Sequence, residues 1–285
     1  MHPARYCPAM PAAPSYPTLS EHEWERADHV WTLLEEGKIE RARIEIDALL
    51  AERPEQPDVR IVEAAVSLDE GRADRALAAL AGAERSADPA FFFHLRGAAL
   101  YELVRLEEAR GDAERALAIQ PDQAETHSLM ARIVEFLGDA EAAELHARTA
   151  EELEPEGFPP ALDVGDEEFD RLVEESLREL PAEVRKHLDE LPVLVQPLPP
   201  REALTAEQPP LSPDILGLFI GRHLMERQHD DLPGAPGAIY LFRRNLLRAC
   251  TDREELAREV RVTVLHEVGH LLGLDEDDLD RWGLA

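Results

Sequence analysis

The 285-residue chain has only two cysteines, Cys7 and Cys250, far apart and without a C-x-x-C pair. Such thiols build neither a disulfide framework nor a thiolate zinc cluster, which suits a reducing compartment. Aromatic side chains are scarce, at 5% of residues, and the abundant alanine favours close helix packing over large sheets. Basic side chains are half as many as acidic ones, 30 against 60, giving a net charge of −30. Phosphate backbones need clustered Lys and Arg, and the acidic excess runs through both halves, so nucleic acid is not an expected partner. The charge reads as solvated helix faces. No run of about 18 apolar residues exists, so no membrane span is expected. The first twenty residues, MHPARYCPAMPAAPSYPTLS, hold five prolines and no apolar h-region. They read as a disordered tail rather than a signal peptide, and the protein as soluble and cytoplasmic.

What the chain does have, first, is a period. Gly37, Gly71, Val104 and Gly138 fall in one column, at spacings of 34, 33 and 34 residues. Five residues after each stand Ala42, Ala76, Ala109 and Ala143. Pro54, Pro89, Pro121 and Pro155 are expected to close the four units, and Gly97 and Ala131 supply a small residue on the first helix of the last two. Small residues at fixed positions let the two helices of a hairpin approach closely, and proline ends a helix. The pattern resembles the tetratricopeptide repeat family over about residues 22 to 156. That resemblance implies an all-α array of helix pairs with a groove for a peptide or protein partner. Val104, standing where the turn glycine belongs, is the main departure. FFFH at 91–94 reads as core, and His94, His127 and His146 read as unrelated single histidines.

After Pro155 the character changes. Residues 157–166 read as a linker between the array at 21–156 and a second domain at 167–285. Phe169, Leu172, Val173, Leu177 and Leu180 are helically spaced up to Pro181. LPVLVQPL, LGLFIG and AIYLF (from 191, 216 and 238) read as strands. The proline-rich stretch from 199 to 213 reads as an exposed loop, and ERQHDDLPGAPG as a loop or lid. The last helix is expected to start from a capping box of Thr251 and Glu254. Its buried stripe is Leu256, Val260, Val264, Val268, Leu271 and Leu272, and Gly273 stops it. Together these elements make a small α+β domain.

The chain closes with VLHEVGHLLGLDEDDLDRWGLA, residues 264–285. H-E-x-x-H on a helix puts His266 and His270 on one face, where two neutral imidazoles can hold a Zn²⁺. Glu267, about a third of a turn round, can take a proton from a zinc-held water as general base. A catalytic zinc usually has three protein ligands, and ten residues beyond His266 stands Glu276. It is the first candidate for the third ligand, with Asp275, Asp277 and Asp278 beside it. Tyr240, His223 and Arg243 are candidates to steady a developing oxyanion.

FDRLVEESLRELP, VLVQPLP, ILGLFIGRHL, AIYLFRRNLL and REVRVTVLHEVGHLLGLDEDDLDRWGL together resemble a small bacterial family of zincin-like metallopeptidases. The resemblance spans about residues 169 to 284. It implies a minimal zincin fold with the active-site helix beneath a small mixed sheet. It also implies His266, His270 and an acidic residue at 276 as zinc ligands, with Glu267 as base. The family usually has aspartate at the third position, so Glu276 is one methylene longer. No methionine follows Gly273, so no Met-turn is expected. The expected function is a zinc metallopeptidase whose repeats recruit a protein substrate or partner. The alternative is an interaction scaffold with a structural or inactive zinc module, and a hydrolase of a non-peptide amide is a third reading.

Overall fold

In the computed structural model, which describes residues 18–85, 88–188, 191–206, 208–221 and 237–272, the chain turns helical where Ser20 can cap it. The Ser20 hydroxyl accepts from the Glu23 N–H, and the Glu23 carboxylate accepts from the Ser20 N–H at 2.7 Å, a reciprocal capping box. Four helix pairs follow in order. They are α1 (Glu21–Glu35) with α2 (Ile39–Glu52), α3 (Pro57–Asp69) with α4 (Ala73–Leu80), α5 (Pro89–Glu102) with α6 (Leu106–Ile119), and α7 (Ala124–Phe136) with α8 (Ala140–Leu153). The chain divides into two compact units, Met1–Ala99 and Leu100–Ala285.

The periodic column is the turn inside each pair. Gly37, Gly71 and Gly138 have φ of 68°, 70° and 86°. In each turn two N–H groups reach back to the last carbonyls of the preceding helix, such as Gly71 to Leu68 and Arg72 to Ser67. That is the left-handed helix stop that glycine adopts without penalty. Val104, the apparent exception, adopts it too, at φ 57°, and its N–H and that of Arg105 bond the carbonyls of Tyr101 and Leu100. A β-branched residue is strained there, and burial of the Val104 side chain offsets the strain. Ala42, Ala76 and Ala109 are fully buried, and Ala143 nearly so.

Pro89 does not close the second unit. Pro54, Pro121 and Pro155 follow the ends of α2, α6 and α8, but α4 has already stopped at Leu80 and Pro89 is the first residue of α5. A first-turn proline costs nothing because its missing N–H would have had no partner.

In the second unit the chain leaves α8 and runs along residues 162–164, where Leu162 and Val164 join the apolar core. It then forms α9 (Asp166–Glu179), α10 (Ala182–Leu188), β1 (Val193–Gln196), α11 (Arg201–Leu204), β2 (Gly217–Ile220), β3 (Ala238–Phe242), α12 (Arg243–Ala249) and α13 (Arg253–Leu272). The strand order is β1-β3-β2, with β1 parallel and β2 antiparallel to β3. The expected exposed loop at 199–213 contains α11, because Leu204 is buried and draws its turn inward, while Arg201 pairs with Glu107 of α6. α12 was not expected; it buries Asn245, Leu246 and Leu247.

α13 packs its predicted stripe of Leu256, Val260, Val264, Val268 and Leu271 against Phe169 and Val173 of α9 and Ile239 and Leu241 of β3. Its start departs from the expected capping box. Asp252 accepts from the Glu255 N–H at 2.8 Å, and Glu255, rather than Glu254, accepts from the Thr251 N–H and hydroxyl. No helix among the described residues is long and apolar enough to cross a membrane.

The turn at Gly71 gives a clean stability test. An added Cβ there meets nothing within 4 Å, so the cost is in the backbone alone. Gly71→Ala is expected to lower the unfolding free energy by about 1–2 kcal/mol in urea titrations.

Candidate metal and catalytic site

β2 is an edge strand, and its position against α13 builds the site. The Phe242 N–H donates to the Leu216 carbonyl at 2.8 Å. Alternation then points the peptide groups of Leu218 and Ile220 towards β3 and those of Gly217 and Phe219 outward, away from β3. α13 passes beneath this edge. A Cβ on Gly217 would lie 2.5 Å from Thr263 Cγ2 and 3.5 Å from Glu267 Cγ, so only glycine allows the helix so near.

That approach brings the buried Glu267 to the strand, where its Oε2 accepts from the Phe219 N–H at 2.6 Å. A carboxylate held by a backbone donor has a fixed direction, which a general base requires. One residue before and three after, His266 and His270 sit partly exposed with their Nε2 atoms 3.0 Å apart and their rings perpendicular, at 81°. Two Nε2 ligands on one tetrahedral zinc, each about 2.0–2.1 Å from it, stand about 3.3 Å apart. The two imidazoles meet that spacing with a shift of a few tenths of an ångström. The described residues hold no group of three His, Cys, Asp or Glu able to bind a metal. Glu276, with Asp275, Asp277 and Asp278, lies outside the described residues, as do Gly273, His223 and all but the last residue of the expected loop or lid ERQHDDLPGAPG.

Two of the sequence candidates stand elsewhere. Tyr240 alternates with Ile239 and Leu241, which face α13, so its side chain projects from the opposite face of the sheet. Arg243 is committed to an ion pair with Asp166. Cys250 is buried, and burial pushes its thiol up to about 11. A thiol so raised stays protonated at neutral pH. A groove of about 430 Å³ is lined by Glu168, Arg171 and Glu175 of α9 and by Arg253, Glu254 and Arg261 of the first half of α13, away from the histidines.

Sequence reasoning missed one histidine pair. His127 and His146, far apart in sequence, meet through α7 and α8 with their Nδ1 atoms 2.8 Å apart. His127 Nε2 lies 2.9 Å from the Pro121 carbonyl, so it carries the proton. His127 Nδ1 is then the acceptor and His146 the donor. Burial, then His127, lowers the pKa of His146.

Residues 188–284 match the family model of zincin-like metallopeptidases. No curated protein matches the chain. Among solved structures it is similar to MamA 41-end from Desulfovibrio magneticus RS-1, at 22% identity over 47% of this chain and 76% of that one, TM-score 0.40. A MamA RS-1 ArsTM double mutant is similar at 22% identity over 48% and 78%, TM-score 0.39.

The contact at Gly217 predicts a paired result. Gly217→Ala alone is expected to cost about 1–3 kcal/mol, as overpacking does. Thr263→Ser, which removes Cγ2, is expected to restore at least half of that in the double variant. Additive losses in a double-mutant cycle of urea titrations would place the strain elsewhere.

Proposed function

We infer that the chain is a zinc-dependent peptidase whose helix pairs recruit the protein to be cut or a protein partner. The observation that carries the reading is the fixed direction of Glu267, buried and held by the Phe219 N–H between two histidines with converging Nε2 atoms. The match of residues 188–284 to zincin-like metallopeptidases supports it. His266, His270 and Glu276 would hold the metal. A zinc ion there would polarise a water and the carbonyl under attack.

The remaining tasks fall to the chain's own residues. Glu267 takes a proton from the attacking water and hands it to the departing amine. An extended peptide lies along the outward edge of β2, where the Gly217 N–H and the carbonyls of Gly217 and Phe219 face away from β3. The close packing of α13 under Gly217 keeps the base within reach of that edge. The fourfold repetition of helix pairs supports the recruiting role, since stacked pairs expose long surfaces to a partner.

Glu267→Gln keeps the shape of the side chain and its acceptor oxygen while removing the basic carboxylate. Its expected outcome is unchanged zinc content with cleavage of a denatured protein substrate lowered by about a hundredfold or more. Undiminished cleavage by that variant excludes Glu267 as base. Full zinc occupancy with no cleavage by the wild type across a broad peptide library favours the scaffold reading instead.

A further inference from the structure

The strand that holds Glu267 in place is itself held by the helix array. Five residues before Phe219, Asp214 accepts from the Tyr101 hydroxyl of α5 at 2.7 Å with one oxygen and from Arg132 of α7 at 2.5 Å with the other. Tyr101 is almost wholly buried, and the Arg132 guanidinium lies over its ring at 5.3 Å. Ser212 donates to Glu102, the next residue of α5, and accepts from the Asp214 N–H at 3.1 Å.

A second grip comes from the other side of the same segment. The buried Asn245 of α12 donates from its one amide to the carbonyls of Pro213, at 2.9 Å, and Ile215, at 2.7 Å. Arg248 donates to the Asn245 amide oxygen at 2.6 Å and pairs with Glu135 of α7. Residues 212–215 are therefore fixed by α5 and α7 directly and by α7 again through Arg248 and Asn245. Directly after this clamp come Leu216, bonded to Phe242, then Gly217 under Thr263, then the Phe219 N–H on Glu267.

We propose that Asp214 is a positioning residue for Glu267, and that helices α5 and α7 are thereby a working part of the catalytic unit. Two charge-assisted or buried hydrogen bonds on one carboxylate fix the height at which β2 begins. Among the described residues β2, four residues long, pairs on one side only, so its placement depends heavily on what holds its ends. Partner binding on the array has, through Arg132 and Glu135, a direct mechanical route to the base. The catalytic consequence rests on the peptidase reading; the positioning itself does not.

The test is amide exchange in the full-length zinc-loaded protein. In Asp214→Ala the Phe219 amide is expected to exchange roughly tenfold faster or more, while the amides of α13 and β1 keep their rates, which a general loss of stability would not allow. Zinc content should be unchanged, and cleavage should lose kcat with KM little altered. Tyr101→Phe removes a single hydroxyl and should raise Phe219 exchange by a smaller factor, which keeps the test decisive if Asp214→Ala does not fold. Unchanged Phe219 protection in the variants that fold overturns the proposal. A wild type that cleaves nothing defeats the peptidase reading alone, and the exchange rates still decide the positioning.

Discussion

The second unit depends on how closely α13 can approach the edge strand β2. With no side chain at Gly217, Thr263 and Glu267 press against the strand backbone, and the Phe219 N–H then becomes the partner that a buried carboxylate needs. His266 and His270 follow from the same placement, because on a helix they share a face beside Glu267. The apolar stripe from Leu256 to Leu271 anchors the helix to β3 and α9, but the stripe sets only its axis. The glycine sets its distance from the edge.

The array is built on a different economy. Its turns reuse one left-handed stop, and an alanine five residues after each turn is buried. Arginine binds acids between neighbouring helices, as where Arg43 of α2 reaches Glu63 and Glu70 of α3 and its end. Within the second unit a polar clamp gathers around Asp214, with Tyr101 and Arg132 on its carboxylate and Asn245, held by Arg248, on the carbonyls of Pro213 and Ile215. The helix pair α7 and α8 is thus packed into the unit that carries the histidines.

Much of this was legible in the sequence, and the exceptions have physical reasons. The 34-residue column located the turns, because Gly37, Gly71 and Gly138 each make the same left-handed stop. Val104 concealed one of them, since burial rather than residue type makes its conformation tolerable. Pro89 misled because proline suits the first turn of a helix as well as the residue after one. The three strands were marked by short β-branched and aromatic runs, whereas α11 and α12 were hidden: one is a single turn among prolines, and the other follows β3 without a break. His266, Glu267 and His270 were found through their spacing, which is a local property. The partners of Asp214 and the His127–His146 pair were not found, because their contacts join residues far apart in the chain. Phe219 was missed as a contributor because it acts through its backbone N–H, which no side-chain pattern records.

The central claim, that the two histidines of α13 hold a metal, is tested most directly by elemental analysis of the purified protein and of His270→Ala. The expected result is about one zinc per chain in the wild type and its loss in the variant, with the fold retained by circular dichroism. No zinc in the wild type after reconstitution, or equal zinc in both proteins, would contradict it.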